Sequence, residues 1–90
     1  MNTAEKLRNE MVINVPFTKD EFISKISERI KRSGLASFVC DHHIRETDLG
    51  SRSTIRMTHE FAALKYAESE GFRFRYKWNS YGVRYLIFTL

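Results

Sequence analysis

Four consecutive residues near the middle of the chain carry side chains that bind metals and act as nucleophiles. Cys40, Asp41, His42 and His43 offer a thiol, a carboxylate and two imidazoles, and His59 follows later. Ligands of one metal ion must converge, whereas adjacent side chains point to opposite faces of a strand and lie roughly 100° apart around a helix. The spacing matches neither the C-x-x-C nor the H-x-x-x-H pattern. We therefore predict no metal site and no cofactor.

Cys40 is the only cysteine among the 90 residues. A catalytic cysteine normally works with a histidine from another element, and no glycine-rich phosphate loop or pair of carboxylates accompanies this one. We predict that the protein is not an enzyme and that Cys40 is a small buried apolar residue. A lone cysteine, the absence of a signal-peptide pattern and the lack of an apolar run of about 20 residues favour a cytoplasmic protein without a membrane anchor.

The basic residues are unevenly distributed along the chain. All eleven acids and eleven of the 15 bases lie in residues 1–71, so the formal charge of +4 comes from residues 72–90, which contain no acid. A positive patch of this kind predicts an anionic partner, which is nucleic acid, an acidic protein surface or a phosphorylated ligand. The four bases in this last segment are Arg73, Arg75, Lys77 and Arg84.

The elements that position these residues begin with a short predicted helix over about residues 4–10, capped by Thr3. Alternating apolar residues then predict a strand over residues 11–15, closed by Pro16, because proline is confined to strand ends and edges. Residues 35–52 fit either a short helix or an irregular strand.

A long amphipathic helix is predicted to begin at Thr18. Thr18 and Glu21 match a capping box, and Phe17 and Phe22 occupy the positions of a hydrophobic staple. Apolar residues recur at helical spacing, and Gly34 is placed to end the helix.

A second long helix is predicted from Ser53 or Thr58 to Glu70, ended by Gly71. The residues expected to face the core are Met57, Phe61, Leu64 and Ala67.

The last segment is predicted to form a β-hairpin, because apolar and basic residues alternate strictly before a turn at residues 79–82. A loop of two or four residues would place Trp78 opposite Val83, Tyr76 opposite Tyr85 and Phe74 opposite Ile87. The face with Phe72, Phe74, Tyr76 and Trp78 would then enter the core, and the four bases would surround Leu86 and Phe88 on the other face. The bases either bind an anion or only cover these two side chains and discourage aggregation.

Residues 48–90 resemble the second half of a winged helix-turn-helix DNA-binding domain. The resemblance rests on a turn at residues 48–50, the polar string at residues 51–56, a helix ending at Gly71 and the basic hairpin. The stretch from Ser53 to Gly71 is longer than the usual recognition helix. The family implies a helix in the major groove, a hairpin on the flanking phosphates and a dimer on a palindromic site. By position these roles fall to Arg52, Ser53, Thr54 and Arg56 in the helix, and to Arg73, Arg75, Lys77 and Arg84 in the hairpin.

Together these patterns predict one α+β domain over residues 1–90. Its two main helices pack on one face of a small antiparallel sheet, made of the hairpin and a third strand at residues 11–15. The predicted function is a small nucleic-acid-binding regulator, with DNA favoured. The alternative is a protein-interaction module, such as a phage-type inhibitor or adaptor, that docks its basic patch on an acidic protein surface.

Overall fold

The computed structural model describes residues 2–41 and 54–90, which form an α+β fold. Within these residues, no helix has both the length and the apolar character needed to cross a membrane. In chain order the elements are α1 (Thr3–Ile13), α2 (Lys19–Ser33), β1 (Ala36–Asp41), β2 (Thr54–Arg56), a 3-10 turn (Met57–His59), α3 (Glu60–Ser69), β3 (Arg73–Trp78) and β4 (Arg84–Thr89).

The sheet has the strand order β2-β1-β4-β3. Strands β1, β4 and β3 are antiparallel neighbours, and the short β2 pairs with β1 in parallel. The C-terminal hairpin is therefore confirmed, but the third strand predicted at residues 11–15 is wrong. Residues 11–13 continue α1, whose N-cap is Asn2 and not the predicted Thr3. Its end is tied to α3 because the Val12 carbonyl accepts a hydrogen bond from the Tyr66 hydroxyl (2.9 Å).

Helix α2 begins where the capping box predicted. The Thr18 hydroxyl accepts a hydrogen bond from the Glu21 N–H (3.2 Å), and the Glu21 carboxylate accepts one from the Thr18 N–H (3.3 Å). The rings of Phe17 and Phe22 lie 5.4 Å apart, as the hydrophobic staple requires. Gly34 ends the helix in the left-handed conformation, with φ of 83°.

The core lies between one face of the sheet and helices α2 and α3. Three fully buried rings form its centre, with centroids 5.6 to 5.9 Å apart: Phe22 of α2, Phe38 of β1 and Phe88 of β4. The side of the sheet that carries Phe38 and Phe88 is called the inner face below, and the opposite side the outer face.

Helix α3 is shorter than predicted and turns a different side to the core. It begins at Glu60 after the 3-10 turn, and its buried apolar residues are alanines at positions 62, 63 and 67. Burial of Ala67 was predicted correctly, and Leu64 is partly buried and packs against the core as predicted, whereas Phe61 is only partly buried. Small side chains allow α3 to lie close to the sheet. The sequence-based prediction instead had mainly large residues on this side of the helix.

Candidate functional site

The hairpin register differs from the predicted one by a single residue. Trp78 pairs with Arg84, so five residues remain in the loop instead of two or four. The Asn79 side-chain oxygen accepts hydrogen bonds from the N–H groups of Tyr81 (2.9 Å) and Val83 (3.0 Å). Gly82 takes the left-handed conformation, with φ of 78°. A turn followed by a left-handed residue gives an odd loop length, and this is why the predicted register is wrong.

A shift of one residue moves every β4 side chain to the other face of the sheet. Leu86 and Phe88 are fully buried in the core, although the sequence predicted them on the same side of the hairpin as the four bases. Arg84 moves to the inner face with them, so its predicted position beside the other three bases is wrong. Tyr85 and Ile87, which the sequence placed in the core, lie on the outer face.

Three bases remain together on the outer face. Arg73, Arg75 and Lys77 are exposed along β3 and pair in register with Thr89, Ile87 and Tyr85 of β4. Within the described part of the chain, no carboxylate forms an ion pair with any of the three. We call the outer surface formed by Arg73, Arg75, Lys77, Tyr85 and Ile87 the basic face.

The basic face contains an open cleft of about 370 Å³. Arg75 and Lys77 line one side of it, Ser37 and Leu35 contribute the β1 side, and Tyr85 and Ile87 line it from β4 between them. Of the residues that the structure describes, none that lines the cleft is acidic. The cleft therefore combines positive charge with an aromatic ring and apolar surface.

Comparison with protein-family models, with curated proteins and with solved structures finds no match to this chain.

Arg84 is held inside a polar cluster on the inner face. Its guanidinium forms a salt bridge with Glu60 at the start of α3, and the same carboxylate accepts a hydrogen bond from the Tyr76 hydroxyl. The guanidinium also lies over the rings of Tyr76 (5.0 Å) and Trp78 (5.9 Å). A cation held by a carboxylate and two rings is poorly placed to bind phosphate, so Arg84 joins α3 to the hairpin.

The Tyr76 hydroxyl and the nearby Cys40 thiol are held in their neutral forms. Burial, reinforced by the hydrogen bond to Glu60, raises the pKa of the Tyr76 hydroxyl. Burial, followed by the nearby Glu60 charge, raises the pKa of the Cys40 thiol to about 11. Because the thiolate is the nucleophilic form, this shift disfavours reaction of Cys40 at neutral pH. Its burial in the core cluster confirms the structural role that the sequence predicted.

Of the remaining predicted site residues, Thr54 and Arg56 lie in the described part of the chain, and no described contact brings them to the basic face. Arg52 and Ser53 lie outside the described residues, as do His42 and His43. In the described ranges, no group of three potential ligands could hold a metal ion. Thr54 and Arg56 belong to strand β2, so the helix that the winged-helix resemblance implied for them is wrong.

Two residues of this region had no recognised signal in the sequence. Tyr85 was assigned to the core because an even-numbered loop was assumed. The role of Glu60 could not be recognised from its neighbours in the sequence. A glutamate at the start of a helix is expected because it stabilises the helix terminus, whether or not it also pairs with a distant arginine. The combination of Asn79 and Gly82 in the turn was the available signal for a left-handed loop residue.

Proposed function

We propose that the protein is a small non-enzymatic module that binds nucleic acid through its basic face. The observation that carries this proposal is that Arg73, Arg75 and Lys77 share one exposed side of β3 without an acidic partner in the described ranges. Bases at alternate strand positions lie roughly 7 Å apart, a spacing close to that of successive phosphates in an extended single strand. Phosphate neutralisation supplies most of the affinity of such a surface.

The cleft beside these bases favours single-stranded over double-stranded nucleic acid. The Tyr85 ring lies one strand inward from Lys77, where an unpaired nucleobase could stack while its phosphates contact β3. A duplex hides the faces of its bases and could use only the charges. We therefore propose that the ligand is a single strand, DNA or RNA.

A cytoplasmic location, dimerisation and a regulatory role remain predictions from the sequence.

The test is a salt titration with labelled oligonucleotides of about 20 nucleotides, as single-stranded DNA, RNA and duplex. The variant carries Arg73→Glu, Arg75→Glu and Lys77→Glu together. We expect it to fold, because all three side chains are exposed, and to lose binding. Loss of three phosphate contacts reduces the slope of log affinity against log salt by about 2 for a single strand and about 3 for duplex DNA.

The matched control reverses three exposed bases on the helices, with Lys6→Glu, Arg8→Glu and Lys31→Glu. It changes net charge equally but leaves the basic face intact, so it should retain the steep salt dependence. In Tyr85→Val the phosphate contacts remain, and single-strand affinity should fall by about tenfold or more because one stacked base contributes about 1–3 kcal/mol. Equal affinity of wild type and the folded β3 triple variant for every probe would refute the proposal.

A further inference from the structure

In the part of the chain that the structure describes, strand β3 leaves one side of its backbone open. It stands at the end of the strand order, and its one neighbouring strand is β4 within the described residues. Six consecutive pairs join β3 to β4 without interruption. The strand has no proline and no bulge, two of the features that prevent an edge from pairing with another chain, and its three bases disfavour only positively charged partners. Among the described residues, nothing pairs with its outward N–H and C=O groups, which are therefore open to a further strand.

The inner side of this edge carries an exposed aromatic row, formed by Phe74, Tyr76 and Trp78. The exposed fractions of these side chains are 49%, 39% and 62%, so the prediction that these three enter the core is wrong. Each nevertheless belongs to the face that packs against helices elsewhere in the sheet. Exposed large apolar side chains in a contiguous row mark interaction surfaces more often than isolated ones do.

The aromatic row is fixed in position before any partner binds. The rings of Phe74 and Tyr76 meet edge to face at 5.9 Å, and the Arg84 guanidinium lies over Tyr76 and Trp78. The Tyr76 hydroxyl is anchored on Glu60. A rigid, pre-organised surface loses little conformational entropy on binding, which favours affinity.

Charge determines which kind of strand can pair with this edge. In an antiparallel pair of two β3 strands with matching faces, Arg75 would lie opposite Arg75 or Lys77 of the other copy, and like charges directly opposite one another are destabilising. A second copy of this chain is therefore a poor occupant. A strand with acidic residues on the outer side and apolar residues on the inner side complements both the three bases and the aromatic row of β3.

We propose that the β3 edge binds an extended segment of a partner protein in which acidic and apolar residues alternate. The segment adds a strand to the sheet through backbone hydrogen bonds, its acidic side chains meet Arg73, Arg75 and Lys77, and its apolar side chains cover the aromatic row. This site shares Arg73, Arg75 and Lys77 with the proposed nucleic-acid surface, but the backbone edge and the aromatic row belong to it alone.

The probe is a synthetic peptide of about eight residues that alternates glutamate with valine, a length typical of a strand. Trp78 is the only tryptophan, so its fluorescence reports directly on the aromatic row. We expect saturable binding with a blue shift of the emission, because a covered indole loses contact with water. Two matched peptides should not bind: one with lysine in place of glutamate, and one N-methylated at the amides of every second residue.

Two variants separate the contributions of the rows. The double variant Phe74→Thr with Trp78→Thr retains strand propensity and the Glu60 contacts. Its affinity for the glutamate peptide, which carries the fluorescent label because Trp78 is absent, should fall by about tenfold or more. Nucleic-acid affinity should be unchanged in this variant. The Arg73→Glu, Arg75→Glu, Lys77→Glu protein should reverse its preference and bind the lysine peptide instead.

Three outcomes would overturn the inference. Equal affinity for the N-methylated peptide would show that the backbone edge is not used. Loss of nucleic-acid binding in the folded aromatic-row variant would assign that row to nucleic acid. A concentration-dependent dimer in sedimentation, abolished by Phe74→Thr with Trp78→Thr, would make a second copy the occupant.

Discussion

The Glu60 carboxylate is the residue-scale link between helix α3 and the hairpin. Its two oxygens accept separately, one from the Tyr76 hydroxyl and one from the Arg84 guanidinium. The Arg84 Nε atom is buried without a hydrogen-bond partner in the described residues. Such an arginine depends on its single carboxylate for charge compensation, because an unpaired buried charge is strongly destabilising.

We therefore predict that Glu60→Gln lowers the free energy of unfolding by about 2 kcal/mol, measured by urea denaturation. This lies below the roughly 3–5 kcal/mol expected for a fully buried pair, because the Arg84 side chain keeps 21% of its exposure. The control is Glu28→Gln, which removes the exposed Glu28–Arg32 ion pair on α2 and should cost less than about 0.5 kcal/mol. Equal costs for the two variants would show that the Glu60 pair contributes no more than a surface contact.

At the scale of elements, the start of α2 is fixed by side-chain hydrogen bonds that are local in sequence. We predict that Thr18→Ala costs about 1 kcal/mol of stability and leaves ligand binding unchanged, because it removes the acceptor for the Glu21 N–H. Thr3→Ala is the control, since the cap of α1 is Asn2 and not Thr3. Thermal unfolding of both variants measures the difference, and a loss in Thr3→Ala as large as in Thr18→Ala would contradict it.

The hairpin shows the opposite case, in which local sequence is insufficient. The alternation in β3 predicted the strand correctly, but its pairing depended on the number of loop residues, and one residue decides which face of β4 is buried. Leu86 and Phe88 belong to the core only because Gly82 and the Asn79 side chain produce a loop of five residues.

For the whole molecule, the sequence predicted the α+β class, the capped helix and the basic hairpin, each of which depends on residues close together in the chain. The sequence did not decide between helix and strand for residues 36–41, because their apolar residues fit both periodicities. The Glu60–Arg84 pair joins residues 24 positions apart, so only the three-dimensional arrangement could reveal it. The sequence predicted a face with several bases on the hairpin but not all of its members, since Tyr85 and Ile87 take the place of Arg84, Leu86 and Phe88.

The distribution of burial predicts that stability is uneven across the molecule. Helix α1 has no buried residue, and an open groove of about 520 Å³ separates part of it from α3. Strand β4 is paired on both sides and contains three consecutive buried residues, Leu86, Ile87 and Phe88. Segments with few buried contacts open with free energies near zero, whereas central strands open only with the whole fold.

Native-state hydrogen exchange should therefore show the α1 amides opening at about 1 kcal/mol and the β4 amides at the global free energy, about 5 kcal/mol or more. Tyr66→Phe removes the hydrogen bond to the Val12 carbonyl and should speed exchange in α1. In the same variant, the β4 amides should still open with the free energy of global unfolding. Amides of α1 as strongly protected as those of β4 would show that the helix is an integral part of the cooperative core, despite having no buried side chain.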